Sequence, residues 1–286
     1  MSTSNIKIPS EFNYFEIYLT MRCNLKCSYC INAYSGIDRK RTELSAVDWA
    51  QGINRVDFGK LPLTIGGGEP SMHKEFYTFL DLIRHDISID LLTNLSFNLD
   101  EFIEKTTPSR FNLPNNNAYK SIRVSYHPDS MDPETLIKRA RRLQEHGYRI
   151  GIFGINHPLN MDRNIQMSET ARENGVYFFI KDFLGEFDDR LFGYYKYENA
   201  IMSPLKSCKC RIQEVIIDPT GKIYRCHRDL YKQVNPISNI TDDNLSFNYM
   251  FRDCNYFGDC NPCDIKLKTN RFLEMGKCSV EIKYLE

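Results

Sequence analysis

Between residues 15 and 181 six short apolar runs of strand length are separated by segments of helical periodicity. The runs are 15–20, 61–65, 89–93, 121–125, 149–155 and 176–181. Helix signals fill the gaps. A helical stretch from Ser45 to Phe58 opens with Ser45 and Asp48 at capping-box spacing. Pro133 and Gly147 bound the clearest helix, and Gly175 ends the next one. Strands alternating with helices make a parallel sheet, and right-handed crossovers curl it. The pattern predicts a partial (β/α)6 TIM-like barrel over residues 12–183, with functional residues at the C-terminal strand ends. A loop with Cys23, Cys27 and Cys30 follows the first strand, and GGGEP (66–70) follows the second. Asn94, Ser125 and His127 fall at later strand ends.

Beyond residue 184 the alternation stops. One hairpin remains recognisable, VIIDPTGKIYRC, turning at Pro219–Gly221. The tail has too little periodic apolar sequence to build a core unaided, yet it carries seven of the ten cysteines. A small metal-held C-terminal domain is expected over residues 200–286. Lys plus Arg and Asp plus Glu each total 37, and this balance argues against a nucleic-acid partner. There is no signal-length apolar run at the start and no stretch long enough to span a membrane, so a cytoplasmic protein is expected. In a reducing compartment, clustered cysteines point to metal or redox chemistry.

A structural zinc site closes with four ligands, whereas CxxxCxxC offers three thiolates on one loop. Three thiols leave one corner of an iron–sulfur cluster open to another ligand. With GGGEP after the second strand, this segment closely resembles the cluster loop of the radical S-adenosylmethionine (SAM) superfamily. The resemblance implies that Cys23, Cys27 and Cys30 ligate a [4Fe–4S] cluster whose fourth iron chelates SAM, with Tyr29 packing against adenine. Gly66, Gly67 and Gly68 would let backbone approach SAM, and Glu69 would pair with its ammonium. Asn94 stands in a TNG-like element with leucine in the glycine's place; Ser125 is placed for the ribose or carboxylate, and Ile152 for adenine. A bland zinc loop is the alternative for the first cluster.

Cys210, ten residues, Gly221, four residues and Cys226 resemble the first element of the superfamily's C-terminal extensions, called SPASM or twitch. By that resemblance Cys210, Cys226, Cys260 and Cys263 hold one auxiliary [4Fe–4S] cluster. Cys208, Cys254 and Cys278 leave a second auxiliary cluster open, and zinc is the competing metal. His227 is a weaker ligand candidate. Tyr126 and His127 sit at the barrel mouth, Lys181 and Asp182 end the sixth strand, and Arg139, Arg141 and Arg142 read as a solvated helix face.

The resemblance implies reductive cleavage of SAM and hydrogen-atom abstraction from a small molecule, such as a sugar or aminocyclitol, or from a short peptide. A flavodoxin- or ferredoxin-type protein would supply the electron. Only 22 residues precede Cys23, too few for a peptide-recognition domain there. The runner-up is a peptide maturase that crosslinks or epimerises its substrate. From a different class, a non-catalytic metal protein that senses redox state is the rival.

Overall fold

The computed structural model describes residues 6–27, 29, 30, 32, 42–112, 120–183, 185–193, 195, 197, 201–259 and 280–285. Cys260, Cys263 and Cys278 lie outside them. The six expected strands form: β1 Tyr14–Thr20, β2 Leu63–Gly67, β3 Ile89–Thr93, β4 Ile122–Ser125, β5 Ile150–Asn156 and β6 Phe178–Asp182. Each pairs in parallel with the next in chain order. Among the described residues, five helices fall between them: α1 Ala46–Ile53, α2 Phe76–Leu82, α3 Leu99–Lys105, α4 Pro133–Glu145 and α5 Met161–Glu173. Among the described residues the sheet is open, with β6 its last strand on one side.

Period-two alternation divides each strand between two environments. Phe15, Ile17, Leu63, Ile65, Leu91, Ile122, Val124 and Ile152 join one apolar core with Trp49, Phe79, Phe102 and Leu143 of the helices. Glu16, Tyr18, Thr20, Thr64, Asp90 and Arg123 occupy the alternate positions, also buried. There the Arg123 guanidinium grips Asp90 through Nε and Nη2, at 2.9 and 2.6 Å, and Thr64 donates to the same carboxylate at 2.8 Å. A buried ion pair holds only when its hydrogen bonds are this complete.

Two sequence expectations change. The first helix stops at Ile53 instead of reaching Phe58, because Asn54 turns its amide to Leu82 O and accepts from Arg84 N. An asparagine bonded to foreign backbone competes with helix continuation. Val56–Asp57 then pairs in parallel with Ile6–Lys7.

The sheet also runs on across the expected domain boundary. Three tail strands appear before and after the turn: β7 Ile201–Ile212, β8 Glu214–Ile217 and β9 Lys222–Tyr224. β8 lies parallel to β1, Glu214 facing Tyr14 and Ile217 facing Ile17, and β9 with β10 Ser238–Asn239 extends that edge. β7 instead centres a separate antiparallel sheet between β11 Arg252–Asp259 and β12 Val280–Tyr284. A short helix, α6 His227–Lys232, follows the hairpin. No helix among the described residues is long and apolar enough to cross a membrane.

Candidate active site

The cysteine loop leaves the end of β1 and is tied down at both ends by one carboxylate. Glu43 receives Arg22 Nε and Nη2 at 3.1 and 2.7 Å and also the hydroxyl of Thr20. Residues on either side of the loop are thus drawn together. Inside it, Cys30 N–H donates to Cys27 O at 3.2 Å, and Leu25 N–H points at the Cys23 sulfur at 3.4 Å. Burial and the two neighbouring thiols push the Cys27 thiol up to about 11. Three thiols sharing one partly buried loop therefore repel as thiolates, and a bound cation centre would relieve this.

GGGEP meets the loop through its own backbone, which also accepts at Gly67 O from the Asn32 amide at 2.9 Å. Gly68 N–H donates to Thr20 O and Glu69 N–H to Arg22 O, both at 2.8 Å. A Cβ at Gly67 would stand 2.1 Å from Thr20 O, and one at Gly68 would stand 2.1 Å from Arg22 O. Gly67 also has φ +124°, where side chains are strained. Only glycine lets these strand ends approach so closely.

Glu69 is buried and braces the ends of β2 and β3. Its oxygens accept from Ser71 Oγ (2.7 Å), Thr93 Oγ1 (2.9 and 3.0 Å) and Asn94 N–H (2.7 Å). Burial raises its pKa while these donors pull it back. Asn94 is buried too; its amide donates to Asn24 Oδ1 at 2.8 Å and lies 3.9 Å from the Cys23 sulfur. Ser125 is half-buried at the end of β4, in register with Phe153. Ile152 takes a different position from the one the resemblance gave it. Its side chain is wholly inside the sheet–helix core, since it shares the parity of Ile150, so it offers a ligand no side-chain surface.

A ring cluster covers the loop from β4 and β5. Tyr29 O–H lies 3.0 Å from His127 Nδ1, and its ring stacks on His157 at 5.7 Å with 22° between planes. His157 in turn meets Phe183 and Phe187 edge-on. Burial lowers His127 to about 4 and raises the Tyr29 phenol, so Tyr29 donates and a neutral His127 accepts. Lys181 lies over the Phe153 ring at 4.7 Å. Arg139 does not belong to a solvated face: it donates to Leu95 O at 2.9 Å and to Phe97 O, fixing the turn after Asn94.

In the tail, Cys208, Cys210, Cys226 and Cys254 gather in one small cluster with Ile212, Phe257 and Val280. Hydrogen bonding from Cys210 holds the Cys254 thiol below its ordinary range. His227 lies between two carboxylates, with Nδ1 3.4 Å from Glu214 Oε2 and Nε2 3.9 Å from Glu16 Oε2. Glu43, Asn24, Ser71, Thr93 and His157 were absent from the sequence-derived site. Asn24, inside the cysteine motif, and Thr93, the first residue of the TNG-like element, carried a local signal.

The model of the Radical SAM superfamily matches residues 17–115, which hold the three thiols, the glycine cradle, Glu69 and Asn94. The chain carries a radical SAM domain. The match supports an enzyme and implies a [4Fe–4S] cluster with SAM. The radical SAM domain is similar to PqqA peptide cyclase of Rhodopseudomonas palustris, 36% identical over 78 residues, covering 27% of this chain and 20% of that protein. It is also similar to GTP 3',8-cyclase of Campylobacter jejuni subsp. doylei, 26% identical over 170 residues, covering 57% of this chain and 48% of that one. The chain thus spans less than half the length of these curated relatives. Among solved structures, Streptococcus suis SuiB bound to precursor peptide SuiA superposes with TM-score 0.55 at 16% identity, over 85% of this chain and 64% of that one. At that identity the likeness supports the fold, an α/β architecture around a mainly parallel sheet.

Proposed function

We propose that the chain is a radical SAM enzyme that abstracts a hydrogen atom from a peptide substrate. The observation that carries the SAM reading is the three-thiol loop held against side-chain-free backbone at Gly67 and Gly68. When bound, a [4Fe–4S] cluster with SAM supplies one-electron cleavage of a carbon–sulfur bond and a 5'-deoxyadenosyl radical. Cys23, Cys27 and Cys30 would hold the cluster. Gly67 and Gly68 leave exposed backbone beside it, Glu69 and Asn94 keep that backbone in place, and Tyr29 with His127 and His157 walls the loop from β4 and β5. Such packing excludes water from a reactive intermediate.

The peptide reading is supported by the names of two similar proteins, a peptide cyclase and an enzyme bound to its precursor peptide. A small-molecule substrate is the second reading, favoured by the nucleotide cyclase that matches a longer stretch of the chain. A redox protein of flavodoxin or ferredoxin type would deliver the electron.

Anaerobic reconstitution with iron and sulfide, then dithionite and SAM, tests the first part. Formation of 5'-deoxyadenosine is expected in the wild type and none in Cys27→Ala; equal product in both would refute the reading. For the substrate class, 5'-deoxyadenosine release is compared with a cell-extract fraction before and after proteinase treatment. Stimulation that disappears with digestion supports a peptide, and stimulation that survives it supports a small molecule.

A further inference from the structure

We propose that the tail carries an oxyanion-binding pocket in which Arg252, flanked by Arg225 and Arg211, holds the phosphate or carboxylate of a small organic molecule. The pocket lies outside the SAM reading and does not depend on it.

Its place is where the chain passes from one sheet to the other. β7 ends at Ile212, β8 begins at Glu214, and both residues border a cavity of about 210 Å³. Residues of the segment 244–250 and Arg252, the first residue of β11, line it as well. The volume lies below the range usual for drug-sized ligands, so the occupant is small. Among the described tail thiols Cys210 alone borders the cavity, which is therefore not the space that the thiols enclose with one another.

Charge identifies the chemistry. Three guanidinium groups border the cavity, and two of them already have carboxylates. Arg211 donates through Nε and Nη2 to Glu281 Oε2 at 3.0 and 2.7 Å, and Arg225 pairs with Asp229 at 2.7 Å. Arg252 is half-buried, and among the described residues no carboxylate or other acceptor bonds to it. Burial and the neighbouring Arg225 both act against its charge. A cation so placed is costly until an anion joins it, and its planar fork suits two oxygens of one phosphate or carboxylate. Glu214 also borders the cavity, but its Oε2 lies 3.4 Å from His227 Nδ1.

Neutral donors and an apolar wall complete the site. Ser246 Oγ accepts from Asn248 Nδ2 at 3.2 Å, which leaves the hydroxyl proton for a ligand. Asn244 brings an amide to the same cavity. Phe12, Val215, Ile223 and Phe247 give it an apolar side that an inorganic ion would not use, and this favours an organic body on the anion. Val215 faces Phe15 across the β8–β1 pairing, so an occupant braces the seam between the tail and the first strand.

The test uses the anaerobically reconstituted full chain and two probes, inorganic phosphate and succinate, against sodium chloride at matched ionic strength. A probe that binds the folded state raises the melting temperature with the logarithm of its concentration. Equilibrium dialysis of the radiolabelled probe counts the anions bound. A rise above the chloride control and one anion per chain are expected. Arg252→Met should abolish both, whereas Lys209→Met, which removes an exposed cation opposite Asp253 on β7, should leave both intact. Arg252→Lys keeps the charge without the fork and should need about tenfold more probe for half-saturation. That variant reads the site even where Arg252→Met fails to fold. Tighter binding of phosphate marks the natural ligand as a phosphoryl compound, and tighter binding of succinate marks it as a carboxylic acid. Binding that persists in Arg252→Met would overturn the pocket, as would equal half-saturation in Arg252→Lys and wild type, equal loss in Lys209→Met, or no effect of either probe beyond chloride. None of these readouts uses SAM, so a failure of SAM cleavage sinks the functional reading and leaves this one standing.

Discussion

Gly67 shows how much a single position carries. With φ +124° and Thr20 O only 2.1 Å from where a Cβ would be, alanine here must part the ends of β1 and β2. Gly67→Ala should lose about 2 kcal/mol of stability, the scale of one strained backbone position, read by urea unfolding under anaerobic conditions, and 5'-deoxyadenosine formation should fall with it. The three consecutive glycines announced this cradle in the sequence. Leu95 was harder to read. It stands where a TNG-like element has glycine, and the structure keeps the left-handed backbone at φ 59° while burying the leucine side chain in the core. Packing offsets the steric cost of that conformation, about 1–2 kcal/mol, so the motif survives in shape though not in letters. His127 yields a pH prediction. Its pKa is depressed from 6.5 to about 4 by burial, so between those values the unfolded chain binds a proton that the folded chain does not. Stability is therefore complete above about 6.5 and falls as the pH drops toward 4. Urea midpoints measured across this window should slope downward with acid in the wild type, and His127→Phe should flatten that slope.

The β8–β9 hairpin is the element whose local chemistry was most legible and whose destination was least so. Its turn is organised by Asp218, which accepts from Thr220 N–H (2.9 Å), Thr220 Oγ1 (2.7 Å), Lys222 N–H (3.1 Å) and Tyr224 O–H (3.1 Å). Asp218 itself is fully buried. Asp218→Ala strips the acceptor from the buried Tyr224 hydroxyl and from three part-buried donors, and about 2–3 kcal/mol of stability should be lost. Thermal melts of the protein should shift downward. The PTG turn and its flanking apolar runs told of a hairpin, but strand pairing is non-local. Nothing in residues 214–217 says that they will lie parallel to Tyr14–Ile17, some 200 residues earlier in the chain. Arg139 failed for the same reason: a charged residue on a helix reads as solvated unless the loop it reaches, here Leu95 to Phe97, is already known to be beside it.

At the scale of the whole molecule, the tail is part of the sheet that presents the first cysteine loop. All seven residues of β1 are buried, and β1 is flanked by β2 on one side and β8 on the other. Beyond the hairpin the chain returns to cover the outer layer. Ile240 fills the space over Gly52, Arg55 donates to Ile240 O at 2.6 Å, and Phe247 packs edge-on against Phe15. Removing everything after residue 200 would expose the backbone edge of β1 along Tyr14–Ile17 and uncover Phe15 and α1. An unpaired parallel strand with apolar neighbours is a template for aggregation. The segment 1–200, although it contains the whole 17–115 match, should therefore fail to behave as a free-standing barrel. Anaerobic size-exclusion chromatography should find it aggregated, and circular dichroism should show no cooperative melt. A soluble monomer melting like the full chain would mean that β1 tolerates an open edge. The three thiols of the first loop would then be held without the tail, whose only strand pairing to the first sheet's β1, among the described residues, runs through β8.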